Sequence, residues 1–248
     1  MPLRTAFRWL GTTLIVSGAL VLVWVVVVWQ WQDPFTALYT KWEQHELRIE
    51  YAHRLAQYRA PRVVVHKRKR DLAAYELSIA AAAQRYRHSL HEGDPIGRIK
   101  VPRLGLNMIF VNGTDTDTLK KGPARDLHSY LPGEGKLIYI AGHRTTYLAP
   151  FGNIDQLQPG DLVTLEVPYG VFSYRITGHR IVDANDLSVL KSHGREVVAL
   201  QACHPRFFAT HRYIAYARPV SVKPWDGAAY RYTGTELAAL GRHASLSH

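Results

Sequence analysis

The chain is almost free of cysteine, because Cys203 is the only one among 248 residues. A single thiol excludes an intrachain disulfide and a zinc site built on several cysteines, so packing must hold the fold together. Acidic residues are also few, 20 against 31 Lys and Arg, which gives a formal net charge of +11. This excess predicts attraction to polyanions such as anionic lipid, wall polymer or nucleic acid, and it does not choose among them.

Charged side chains are absent from residues 9–32, whose centre is a run of Leu, Val and Trp. A helix of this length covers roughly 35 Å, enough to cross a bilayer. It is longer than a signal-peptide core, and bulky Trp-Gln-Trp-Gln follows it instead of a small-residue cleavage site. Arg4 and Arg8 lie at its start. The positive-inside rule therefore predicts that residues 1–32 are a cytoplasmic N-terminus and a single-pass cell-membrane anchor, with all later residues outside the cytoplasm.

Residues 33–93 are rich in Ala, Arg, Gln, Glu and Tyr, with apolar positions at helical spacing. The pattern predicts two helices, separated by Pro61 and a basic cluster at residues 67–70. We expect this part to be a helical extracytoplasmic spacer between the membrane and the next domain. Outside the membrane, the basic cluster is expected to be a solvated face or to meet anionic headgroups or wall polymer, and not nucleic acid.

Residues 94–222 contain short apolar runs rich in β-branched and aromatic side chains, separated by Gly, Pro, Asn and Asp. Runs of this kind without long helices between them predict a mainly-β barrel or sandwich. Residues 223–248 lose the pattern and are expected to form a partly ordered C-terminal tail. The predicted strands are 96–101, 107–111, 137–141, 162–167, 172–182, 197–202 and 213–220, with helical turns at 116–121 and 151–157.

The run at residues 197–202 ends at Cys203, and Pro205 prevents a central strand from continuing past His204. A buried strand that ends in a lone thiol is suited to deliver a nucleophile to a surface. A free cysteine in a core strand is, however, often only a small apolar side chain. From the run alone, both interpretations stay open.

A nucleophilic thiol needs a base and a donor for the developing oxyanion. His204 would point to the opposite face from Cys203 on an extended chain, whereas His143 follows an apolar run and Gly142 at the exit of another predicted strand. Gly142 is expected to allow close approach of another backbone. Among Arg206, Arg212 and Arg218, a turn after His204 would bring Arg212 beside Cys203, but spacing alone does not decide among the three.

Four segments of the sequence are distinctive: Ile-Ala-Gly-His-Arg-Thr-Thr at 140–146, Ala-Pro-Phe at 149–151, Leu-Gln-Pro-Gly-Asp at 157–161 and Leu-Gln-Ala-Cys at 200–203. Together with Arg212, they resemble the sortases, membrane-anchored cysteine transpeptidases of Gram-positive bacteria, and are most similar to the class E group of actinobacteria. The resemblance implies an eight-stranded β-barrel over residues 94–222 with the active site in a groove at one end. It also implies that Cys203 is the nucleophile, His143 the general acid/base and Arg212 the residue that positions the substrate carbonyl, with no cofactor and no metal.

The implied reaction is cleavage of an LPXTG- or LAXTG-type C-terminal sorting signal between Thr and Gly through a thioester on Cys203. The implied partners are exported proteins that carry the signal, the membrane, and the amine of a peptidoglycan precursor or a pilin lysine as acceptor. The family usually has threonines where this chain has Ala199 and Ala202. Two alternatives remain: a catalytically inactive, membrane-tethered binding module with the same fold, and an enzyme like the L,D-transpeptidases, suggested by Ser-His-Gly at 192–194.

Overall fold

The N-terminal helix is long and apolar. A computed structural model describes residues 3–31, 34–58, 69–225 and 228–232 of the chain. Helix α1, Leu3–Trp31, contains the span Arg4–Val27 with a mean hydropathy of 2.4, and none of that span is buried. In length and composition, this helix is able to cross a membrane, as the sequence predicts.

Two helices follow, α2 (Pro34–Gln57) and α3 (Lys69–His88), as the apolar spacing predicts. Both pack on the β-domain: Leu47 of α2 lies in an apolar cluster with strand residues, and Ile79 of α3 lies in the main core. Pro61, Lys67 and Arg68 lie outside the described residues, and the other two residues of the basic cluster at 67–70 begin α3. The proposed spacer is therefore joined to the β-domain through buried side chains.

The β-domain is an eight-stranded barrel with a ninth short strand at its side. The strand order is β6-β5-β1-β2-β3-β4-β7-β8, and pairing of β6 with β8 closes the barrel. The predicted mainly-β, eight-stranded barrel is therefore confirmed. The strands are β1 (Pro95–Val101), β2 (Leu106–Asn112), β3 (Ala124–Arg125), β4 (Leu137–Ala141), β5 (Leu162–Val167), β6 (Gly170–Asp183), β7 (Val197–His204), β8 (His211–Lys223) and β9 (Tyr230–Arg231), with helix α4 at Thr116–Lys121.

Gln44 fixes helix α2 to the barrel. Its side chain donates from Nε2 to the carbonyls of Ile109 and Lys121, both at 2.9 Å, and its Oε1 accepts from the Ile109 N–H at 2.8 Å. Thr40, one turn earlier, donates to the Lys120 carbonyl at 2.8 Å. Because both side chains are buried, these bonds replace bonds to water and define one position for the helix.

The buried carboxylate of Glu196 joins the start of β7 to the barrel interior. It accepts hydrogen bonds from the N–H groups of Gly133 and Gly135 and from the hydroxyls of Tyr174 and Tyr232. Burial raises the pKa of this carboxyl to about 7. Tyr232 follows β9, so residues 228–232 of the predicted tail return to the barrel, while residues 233–248 lie outside the described part.

Candidate functional site

Cys203 and Arg212 face each other on neighbouring strands. Strand β7 ends at His204, one residue before Pro205, as predicted, and runs antiparallel to β8. In the register of this pair, Cys203 is the partner of Arg212. Directly opposed residues of an antiparallel pair have side chains on the same face, with Cβ atoms about 5 Å apart. The half-buried thiol therefore has a guanidinium-bearing side chain beside it.

His143 lies at the same end of the sheet, after strand β4, which pairs with β7 on the edge opposite to β8. Strand β4 lies parallel to β7 with Ala141 paired to Gln201, and the Gly142 N–H donates to the Gln201 carbonyl at 3.0 Å. His143 and Cys203 each lie two residues beyond that pair. The three residues predicted from the sequence are thus brought together by the ends of β4, β7 and β8.

The sequence predicts that another backbone approaches Gly142 closely. The structure instead places side chains there. A Cβ atom at this position would lie 2.6 Å from Cδ2 of Phe151 and 3.1 Å from Cγ of Pro150. Phe151 is fully buried, and its N–H donates to the His143 carbonyl at 3.1 Å. The absence of a side chain at Gly142 therefore lets the Phe151 ring pack beneath the loop that carries His143.

The imidazole of His143 is half-buried and lies against Tyr147, with ring centroids 4.9 Å apart. Its Nε2 atom is buried and has no hydrogen-bond partner among the described residues. Burial, and secondly the charge of Lys120, lower the pKa of His143 below its usual 6.5. At neutral pH the ring is therefore uncharged and able to accept a proton from a reacting group that reaches it.

Arg144 is a site residue that the sequence reasoning missed. It is buried, with 5% exposure, and its guanidinium donates to the Cys203 carbonyl at 3.2 Å and contacts Nδ1 of His204 at 2.9 Å. The same group forms an ion pair with Asp155 at 3.0 Å. Arg144 therefore connects the loop that carries His143 to the backbone of Cys203, and its position directly after His143 was the signal that could have identified it.

The Arg212 guanidinium is held within its own hairpin. It donates to the carbonyls of Ala209 at 2.8 Å and His211 at 3.1 Å. Arg206, in the same turn, donates to the side chain of Asn153 at 2.7 Å and so ties the hairpin to the loop after β4. Arg218 lies near the opposite end of β8, beyond the site.

The Ser-His-Gly segment at 192–194 is remote from the thiol. Ser192 accepts a hydrogen bond from the N–H of Leu137, the first residue of β4, whereas Cys203 lies level with the residues beyond the end of that strand. This placement does not support the L,D-transpeptidase alternative. Within the described ranges, no three His, Cys, Asp or Glu side chains are arranged to hold a metal ion.

Comparisons with known proteins identify the domain. Residues 99–220 match the family model described as "Sortase domain". Sortase D of Bacillus subtilis is 35% identical over 133 residues, which are 52% of this chain and 66% of the relative. Sortase SrtE1 of Streptomyces coelicolor is 30% identical over 95 residues, 34% of this chain and 27% of the relative. The alignments cover 54 to 66% of the first three curated relatives, so roughly half to two thirds of their length.

Solved structures have the same fold. A Clostridium perfringens Sortase D5 transpeptidase superposes with a TM-score of 0.55 at 21% identity, covering 72% of this chain and 98% of that chain. The SrtA sortase of Actinomyces oris gives a TM-score of 0.51 at 25% identity, covering 55% of this chain and 85% of that chain. The barrel, the family match and the relatives agree that residues 99–220 of this chain are a sortase domain.

Proposed function

We propose that the chain is a membrane-anchored cysteine transpeptidase that uses Cys203 to cleave a sorting signal of the LPXTG or LAXTG type. The observation that carries this proposal is the meeting of Cys203, His143 and Arg212 at one end of β4, β7 and β8. A thiol, a neutral imidazole with an unpaired nitrogen and a guanidinium are the groups that acyl transfer through a thioester requires.

In the proposed reaction, the Cys203 sulfur forms a bond to the threonine carbonyl carbon, and the bond from that carbon to the glycine nitrogen breaks. His143, uncharged before the reaction, takes the proton of the Cys203 thiol and delivers it to the leaving glycine nitrogen. An acceptor amine then attacks the thioester, the bond from the carbonyl carbon to sulfur breaks, and His143 takes the proton of the amine and returns it to the sulfur, which regenerates the thiol. Arg212 stabilises the negative charge on the carbonyl oxygen, after its side chain exchanges a hairpin carbonyl for the substrate.

The alanine next to the nucleophile is compatible with this chemistry. Ala202 is fully buried and belongs to the main core inside the barrel, whereas Cys203, one residue later, faces the other side of β7. A threonine at position 202 would place its hydroxyl in the core and not beside the sulfur. The difference therefore alters the packing behind the nucleophile and leaves the reacting face unchanged.

The proposed location follows from helix α1. With Arg4 and Arg8 in the cytoplasm, the helix crosses the membrane once and the barrel lies outside, where exported substrates and a peptidoglycan precursor or pilin amine are accessible. Tethering catalyst and substrates to one membrane raises their effective concentration. The acceptor amine of the cell wall is accordingly proposed as the second substrate.

The proposal is tested by incubating the full-length chain in detergent with peptides containing LAXTG or LPXTG, with and without an amine acceptor. The expected result is cleavage between Thr and Gly, with transfer to the amine when it is present. Cys203→Ala should abolish both, and His143→Ala should reduce the rate by about two to four orders of magnitude. Absence of cleavage, together with resistance of Cys203 to alkylation, would favour an inactive binding module instead.

A further inference from the structure

A cavity opens on the outer face of the barrel, the face on which Cys203 lies. It has a volume of about 640 Å³ and lies between strands β4, β6, β7 and β8 and the loop that joins β6 to β7. Its floor includes Leu137, Val197 and Tyr216, which belong to an apolar cluster on the outside of the barrel. This cavity is separate from the groups that carry the proposed chemistry.

The rim of this cavity is strongly basic. Arg180, Lys191, Arg195 and Arg218 line it, all four are exposed, and none forms an ion pair or a side-chain hydrogen bond within residues 69–225. Hydrogen bonds from Ser188, first from its side chain and then from its N–H, are the main cause of the lowered pKa of Asp186, and the charges of Arg180 and Lys191 lower this pKa further. Because the Glu196 carboxylate points into the core, it does not neutralise the rim.

The cavity and the thiol lie along one line of the sheet. Side chains alternate across a strand, so Val197 and Cys203, six residues apart on β7, face the same side. At about 3.3 Å per residue, the two are roughly 20 Å apart. Between them, Val189 and Leu190 of the loop that joins β6 to β7 cover the fully buried Ala199. An extended peptide with its reacting carbonyl at Cys203 that runs over this loop would therefore reach the cavity with residues about six positions away from the cleaved bond.

We propose that the cavity binds an acidic segment of the substrate protein, about six residues from the bond that is cleaved. The apolar floor under a cationic rim fits a peptide that carries carboxylates and apolar side chains together. A phosphate-rich wall polymer would match the rim but has no apolar groups for Leu137, Val197 and Tyr216. This inference rests on the proposed function for its substrate class and extends it to a second recognition site.

The test uses the full-length chain in detergent and a set of peptides that contain the sorting motif. Each peptide is extended on one side of the motif, N-terminal or C-terminal, by a spacer followed by a block of either glutamates or glutamines. We expect the glutamate block on one side to raise kcat/KM by roughly fivefold over its glutamine counterpart, as two weak surface charge pairs would allow. The double variant Arg180→Gln with Arg218→Gln should lose this difference and turn over an unextended peptide normally. Equal rates for both blocks on both sides would overturn the proposal.

The matched control is Lys223→Gln with Arg231→Gln, which removes the same charge from exposed positions that do not line the cavity. It should keep the preference for glutamate. Binding of the glutamate-extended peptide to the Cys203→Ala chain, measured by fluorescence anisotropy, tests the cavity even if no peptide is cleaved. Weaker binding only in the cavity variant supports the proposal. Binding of inorganic polyphosphate at this cavity without binding of the peptide would contradict it.

Discussion

Replacing Arg144 with methionine tests whether this side chain positions Cys203 without taking part in the reaction itself. The change keeps an unbranched side chain of comparable length and removes the bonds to the Cys203 carbonyl, His204 and Asp155. Asp155 is about half exposed and regains water easily, so its ion pair counts for little. The energetic cost therefore comes from the bonds to Cys203 and His204, whose loss should lower the free energy of unfolding by roughly 2 kcal/mol.

The effect on activity should be larger than this loss of stability suggests. A displacement of the Cys203 backbone by about 1 Å costs on the order of 100-fold in rate, since the sulfur must attack from a defined position. We therefore expect kcat to fall by roughly two orders of magnitude with little change in KM. Steady-state cleavage of the motif peptide by the full-length chain, and the alkylation rate of Cys203, measure this directly.

The control for this variant is Arg103→Met. Arg103 forms two hydrogen bonds of 3.0 Å with Asp161 but is exposed and is not part of the site. Its replacement should leave both stability and kcat near the values of the unmodified chain. If Arg144→Met turned over peptide as fast as Arg103→Met, Arg144 would not position the nucleophile.

Three further changes test other parts of the structure. Gly142→Ala should lower kcat/KM by roughly 10- to 100-fold because the new methyl collides with Phe151 under the His143 loop, whereas Gly178→Ala, which has open space, should be neutral in the same assay. Lys120→Gln should raise the pKa of His143 toward 6.5, followed by NMR titration of the ring; an unchanged pKa would mean that burial alone lowers it. Because the Glu196 pKa is raised to about 7, its stabilising contribution is complete below the unfolded value of 4.5 and is lost as pH rises through 7. Urea unfolding should therefore show lower stability at about pH 8 than at about pH 5, and Glu196→Gln should weaken that dependence.

Much of the barrel could be predicted because its strands are regular and bounded by turn residues. The predicted bounds of β4 and β5 agree with the structure, and β6, β7 and β8 extend only a few residues further. Strands β3 and β9 were missed, since two residues are too short to show a period of two. Their existence depends on neighbouring strands that lie far away in the sequence.

The site residues also differ in how far the local sequence predicts them. Cys203 and His143 were singled out because each follows a recognisable strand, whereas Arg212 was chosen among three arginines through the resemblance to the sortases. The catalytic roles of all three stay predictions. Arg144 was missed because a charged loop residue normally predicts exposure. Its burial depends on the turn that brings Asp155 back over the end of β7, which the local sequence does not reveal.

The most direct test of the central claim is the intact mass of the full-length chain, quenched in acid during reaction with a motif peptide. We predict a mass increase equal to the peptide up to its threonine, located on Cys203 and removed by hydroxylamine. The Cys203→Ala chain should carry no such adduct and should not cleave the peptide. Cleavage by that variant would contradict the proposal that a thioester on Cys203 carries the reaction.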